Sequence, residues 1–138
     1  MVQLSLGNNV TINETDFGDV AKKIMGNFFE KKRSNQKGSI STTKLRSILE
    51  MVNYTYYSVL YIANNELTNE HLSSIAYLKV RMAYESGRED TVRDFIKEAG
   101  LMEPITDIVK SKRRDSFLLY CRYVESLVAY YKYEGGNY

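Results

Sequence analysis

The chain has no tryptophan, one proline, one cysteine and one histidine in 138 residues, and each shortage closes off a class of answers. A lone cysteine, Cys121, cannot form an internal disulfide, which agrees with a reducing cytoplasm. His71 has no second His or Cys near it and no HExxH spacing, so neither a metal site nor a Ser–His–Asp triad is expected. Neither the P-loop nor the dinucleotide-binding glycine pattern occurs, so there is no loop to cradle a cofactor phosphate, and no cofactor is expected. With only Pro104 to break them, long helices are favoured. No run approaches the ~20 apolar residues that a membrane span needs. The opening MVQLSLGNNV has no basic start and no long apolar run, so no signal peptide is expected. Neither charge sign dominates: nineteen Lys and Arg stand against seventeen Asp and Glu, for a net +2. A polyanionic partner would therefore have to be met by local clusters of charge, not by the total.

What the chain does have is tyrosine, twelve of them, and helical periodicity. Phe17, Val20, Ala21, Ile24 and Phe28 make one stripe of a helix over about 14–33. A second helix starts near STTK and runs toward Asn64, keeping Leu45, Ile48, Leu49, Val52, Tyr56 and Val59 in register. Thr68 is a good N-cap for a third, with Leu72, Ile75 and Met82 on its stripe and Gly87 placed to end it at C′. A fourth covers about 89–99 before Gly100, and Pro104 opens a short fifth segment to about Lys110. The last covers roughly 112–133. The expected fold is all-α, a compact single-domain bundle of five to six helices over 14–134. A flexible N-terminal segment at 1–13 precedes it and a C-terminal tail at 135–138 follows it.

The last helix has two apolar arcs. Phe117, Tyr120, Cys121, Val124, Leu127, Val128 and Tyr131 fill one about 100° wide, enough to face a core. Leu119, Tyr123 and Tyr130 gather on another, leaving a narrow polar strip around Arg122, Glu125, Ser126 and Lys132. This is either the central helix of the bundle or a helix whose second arc packs on a neighbouring subunit, which would favour self-association and a homodimer in isolation. The turn SKRR before it has two readings. Cations at a helix N-terminus oppose the macrodipole unless an anion binds there; alternatively Lys110 and Lys112 close the preceding short helix, where positive charge is favourable. Cys121, on the apolar arc, reads as a buried structural thiol. Glu85, Glu89 and Asp90, beside basic residues at helix ends, read as solvated caps and not as an acid–base pair. No catalytic residue is expected.

Positive charge gathers in three places. Residues 31–46, KKRSNQKGSISTTKLR, hold six basic groups and no acidic one. On the second helix Lys44 and Arg46 lie off the apolar stripe. KVRMAYESGR adds Lys79, Arg81 and Arg88, and the spacing of Arg81, Tyr84 and Arg88 puts them on one face. Lys110, Lys112, Arg113, Arg114 and Arg122 complete the set. Basic groups interleaved with tyrosine suit contact with a sugar–phosphate backbone, although any one cluster can equally be a solvated face.

Three pieces, ISTTKLRSIL, IAYLKVRMAYESGRED and FLLYCRYVESLVAYYKYEGG, together resemble the small subunit of type III-A CRISPR effector complexes, the Csm family. The likeness spans about 39–136 and is sharpest in the core F-x-x-(F/Y)-C-R-Y-x-E-(S/A)-L-V-A-Y. It implies a compact helical bundle without catalytic residues, working in antiviral defence. Several copies would stack along the effector and hold target RNA as it pairs with CRISPR RNA. Backbone subunits would cut the target, and a large polymerase/nuclease subunit would carry the other activities. The positions matching basic residues of the family's pattern are Lys44, Arg46, Lys79, Arg88 and Arg122, with Arg81 where that pattern is less consistently basic. The SKRR turn departs from the family's mixed-charge turn. Two other functions fit parts of the sequence: a protein–protein adaptor whose charges serve solubility, and a DNA-binding regulator, for which no helix-turn-helix spacing is evident.

Overall fold

The chain opens with strand signals that a search for helical periodicity passes over. Leu4 and Leu6 alternate with Gln3 and Ser5, and Gly7-Asn8-Asn9 follows. In the computed structural model, which describes residues 2–35 and 39–134 (without the side chains of 32–35), this stretch is an antiparallel hairpin. Its strands are β1 (Gln3–Gly7) and β2 (Val10–Asn13), with Leu4 opposite Ile12 and a register shift between Ser5 and Gly7. Asn8 and Asn9 turn the chain at φ 55° and 64°, the left-handed pair that a tight hairpin requires and that Asn tolerates. Leu4, Leu6 and Ile12 are buried in the core. The hairpin corrects the expectation of a flexible segment at 1–13; the tail at 135–138 lies outside the described residues.

Six helices follow: α1 (Phe17–Asn35), α2 (Thr42–Val59), α3 (Asn69–Arg88), α4 (Asp90–Ala99), α5 (Glu103–Ser111) and α6 (Arg114–Tyr133). The fold is mostly α, as the periodicity implies. Local chemistry sets several ends. Ser41 and Thr68 cap α2 and α3 through their hydroxyls, accepting from the amides of Lys44 and His71. Gly100 ends α4 in the left-handed conformation, φ 64°. Gly87 does not end α3, which runs on through Arg88 until Glu89 turns extended.

Packing makes a ring in which α1 meets α6, α6 meets α2, α2 meets α3, α3 meets α4, and α4 returns to α1. The hairpin and α5 pack together and also touch α6. Most of both arcs of α6 is covered inside this one chain: Leu119 and Tyr123 are as deeply buried as Phe117, Tyr120 and Leu127, while Val128 and Tyr130 are partly buried. The central-helix reading therefore holds, and the second arc no longer supports self-association. Three tyrosines of α6 bring their own polar ends inside and satisfy backbone carbonyls. Tyr120 donates to Leu101 O at 2.7 Å, Tyr123 to Ala99 O at 2.6 Å, and Tyr131 to Ile40 O. Phe28, Phe95, Phe29 and Tyr131 pack edge-on or tilted around one end of this core.

Candidate nucleic-acid interface

Because α2 and α3 pack side by side, a lysine near the start of α2 meets the last turns of α3. Lys44 Nζ lies 3.6 Å from a Glu85 carboxylate oxygen and 3.7 Å from one of Glu89. The same Glu85 oxygen is 3.9 Å from Arg88, whose guanidinium lies over the Tyr84 ring, 5.6 Å from its centroid. Lys44, Arg81 and Glu85 line a cleft of about 180 Å³ with Ser47, Ile48, Met51 and Val92. The structure thus brings Lys44 and Arg81 together at one α2/α3 cleft, with Arg88 beside it against Glu85.

The other expected RNA-binding residues stand apart from it. Arg46 is exposed on the outer face of α2, in a stripe with Glu50, Tyr54, Tyr57 and Tyr61 at spacings of three and four. Lys79 turns toward α5 and donates to Thr106 Oγ1 at 2.8 Å. Arg122 is exposed on the polar strip of α6. No single face therefore holds all six cations. The side chains of Lys32 and Arg33, and Lys37 altogether, lie outside the described residues.

Glu85 is the residue that sequence reasoning misplaced. It is not a solvated cap: its Oε1 is buried and receives no hydrogen bond. Spacing along one helix could show Glu85 beside Arg81 and Arg88, but not that α2 would carry Lys44 to it. Glu89 joins the same network, and Asp90 instead pairs with Arg93 at 2.9 Å.

The SKRR turn proves to be a joint between elements. Lys110 lies in the last turn of α5 and Lys112 forms its left-handed C-cap, so these charges face a helix C-terminus and are favourable there. Arg113 pairs with Asp115 at 2.7 Å, holding that carboxyl below its ordinary range. Arg114 reaches across to the end of α2, donating from Nε to Val59 O at 2.9 Å and from its terminal nitrogen to Leu60 O. The loop between α2 and α3 is tied to the same place: Leu67 N donates to Lys112 O, Arg114 N to Asn65 O, and Asp115 N to Asn65 Oδ1.

Tyrosine dominates the exposed apolar surface. Tyr54, Tyr57 and Tyr61 on α2 and just beyond it, and Tyr77, Val80 and Tyr84 on α3, are each more than half exposed. His71 is used locally, its Nδ1 2.8 Å from the capping Thr68 hydroxyl. Cys121 is buried, and that burial pushes its thiol up. No helix among the described residues is long and apolar enough to cross a membrane.

Comparison with known proteins is decisive here. The model of the family described as Csm2 Type III-A matches residues 16–137. The chain belongs to that family. Among curated relatives, the CRISPR system Cms protein Csm2 of Enterococcus italicus is 39% identical over 94 residues, 68% of this chain and 67% of the relative. The protein of that name from Mycobacterium tuberculosis is 35% identical over 124 residues, 90% of this chain and 95% of the relative. The one from Streptococcus thermophilus is 34% identical over 99 residues, covering 71% and 75%. The Csm2 match extends into the N-terminal third, where the sequence resemblance had offered only helicity.

Proposed function

We propose that this Csm2-family chain is the non-catalytic small subunit of a cytoplasmic type III-A CRISPR effector, present in several copies and gripping the backbone of target RNA paired with CRISPR RNA. The observation that carries the reading is the meeting of Lys44 and Arg81 in one cleft between α2 and α3, with Arg88 beside it against Glu85 and with Arg46 and Arg122 exposed on α2 and α6. Cations placed this way meet phosphates without reading bases, as suits a complex whose guide supplies specificity. Docking of sister copies and of the other Csm subunits would fall to the tyrosine faces of α2 and α3, since most of both arcs of α6 is taken up inside the chain.

The test is salt dependence of target binding by the assembled complex. Replacing Lys44, Arg46 and Arg88 by Ala is expected to flatten the log–log slope by somewhat under ~1 for each phosphate that is no longer neutralised. An unchanged slope and affinity would remove these assignments. One observation favours a second reading, a protein–protein adaptor: Lys44 is already engaged by two carboxylates while six large apolar side chains on and beside α2 and α3 stand open. Crosslinking within the complex separates the two, because an adaptor yields protein adducts and no RNA adducts.

A further inference from the structure

Glu85 is an odd neighbour for a phosphate. If the α2/α3 cleft only gripped a polyanion, a carboxylate in its wall would oppose that grip. The cleft's electrostatics also leave something undone. Lys44 and Arg88 stand 3.6 Å and 3.9 Å from Glu85 Oε1, close enough to balance its charge. Neither donates a hydrogen bond to it: among the described residues, Glu85 Oε1 is one of two buried side-chain nitrogen or oxygen atoms with no hydrogen-bond partner. A buried acceptor left unpaired costs free energy that a suitable donor would recover.

The ligand that completes this site must bring an anion for the cations and, next to it, a hydroxyl for Glu85. A backbone phosphodiester by itself offers acceptors alone and would be repelled by the carboxylate. A ribose phosphate presents the required pair, its 2′-hydroxyl lying close to the backbone phosphate, whereas a deoxyribose phosphate lacks the donor. Acidic side chains are known to read this hydroxyl in dinucleotide sites.

We propose that Glu85 reads the sugar: Lys44 exchanges its two carboxylates for a backbone phosphate, and the 2′-hydroxyl of the same strand takes its place on Glu85. This rests on the phosphate-contact reading above and adds to it a means of preferring RNA over DNA. Arg81 and Arg88 hold the phosphate while Lys44, a flexible stem with its side chain about one-third exposed, makes the move.

The experiment compares two targets on the assembled, guide-loaded complex: an RNA strand, and the same strand with 2′-deoxy residues. Glu85→Ala is expected to shrink the ribo-over-deoxy preference by roughly three- to tenfold. Glu85→Gln, which keeps an acceptor oxygen, is expected to retain most of that preference. A ratio unchanged in Glu85→Ala overturns the proposal. So does an equal gain in affinity for both targets, which would mark Glu85 as a repelling charge only. Lys44→Ala and Arg88→Ala report on the underlying reading separately: if both leave affinity and salt slope unaltered, the cleft does not meet RNA at all. Thermal melting of each variant checks that the fold is kept.

Discussion

Arg114 offers the sharpest test of how this chain is held together, because its charge suggests RNA and its geometry says otherwise. It donates to Val59 O at 2.9 Å and to Leu60 O, the last carbonyls of α2, which lack partners of their own inside that helix. A hydrogen bond from a charged donor contributes about 1.5–3 kcal/mol. Arg114 is only half-buried, so water can replace part of this when the side chain is removed, and Ile62 N already shares Val59 O at 3.3 Å. Each bond is therefore worth nearer the ~1 kcal/mol of an ordinary hydrogen bond. Adding a few tenths for a cation at a helix C-terminus, Arg114→Met should cost about 2–3 kcal/mol. At ~2.1 cal/mol/K per residue, unfolding a chain of this length carries an entropy near 0.3 kcal/mol/K, so the melting temperature should fall by roughly 7–10 °C. Arg114→Lys, which reaches one carbonyl only, should recover about half. Far-UV circular dichroism gives the melting curves, and hydrogen exchange should show weaker protection in the 60–68 loop. Target binding by the complex, measured well below the melting transition, should keep its salt slope. A variant that melts with the wild type, or one whose slope drops by about one unit, would refute this assignment and return Arg114 to the phosphate-binding set.

Gly100→Ala should be worse tolerated: an added Cβ would collide with the Leu6 carbonyl oxygen and sit 2.9 Å from Leu6 Cβ, in a residue already at φ 64°; a loss of at least ~2 kcal/mol is expected in urea unfolding. Leu4→Ala should cost about 2–4 kcal/mol in the same assay if the hairpin is part of the core, and almost nothing if it is an appendage. Stability should fall in alkali, because burial raises the Cys121 thiol and the Tyr120 and Tyr123 phenols in the folded state. Protonated when folded, these groups give stability that is whole below their unfolded values and is lost as pH rises past ~8.5 for the thiol and ~10 for the phenols, by about 1.4 kcal/mol per pH unit for each group. Cys121→Ala should therefore flatten the stability–pH curve between those two values. Replacing Tyr54, Tyr57 and Tyr61 together by Ser should leave the melting temperature within a few degrees, since all three are largely exposed, yet weaken incorporation into the complex as judged by pull-down of the other subunits.

Much of this architecture is written locally. The caps at Ser41 and Thr68 and the left-handed stop at Gly100 follow from residue chemistry within a few positions, and the structure has them where the pattern puts them; the buried face of α1 instead runs through Ala21, Met25, Phe28 and Phe29, with Phe17, Val20 and Ile24 at its margin. What a linear reading misses is set from a distance. The register of α2 runs on toward Asn64, but the helix ends at Val59 with no glycine or proline to stop it; Arg114, more than fifty residues away, donates to the carbonyls of Val59 and Leu60. A helical wheel shows that α6 is covered on two sides but cannot say by what, and here the cover is the same chain. The hairpin was legible in the alternation of Leu4 and Leu6 and in the Gly-Asn-Asn turn, and is overlooked only when helical periods alone are sought. Charge clusters were visible along the sequence; their division by Glu85 and Glu89 needed the packing of α2 on α3.

The placement of α6 also has a bearing on biogenesis. The helix that α1 and α2 pack against is translated after every other helix described, so the apolar stripes of α1 through α5 emerge with nothing at their centre. At ~5–20 residues per second, that exposure lasts several seconds on the ribosome. Chaperone demand should accordingly be highest for nascent chains halted just short of Arg114, and a stop codon there should yield insoluble product, not a smaller domain.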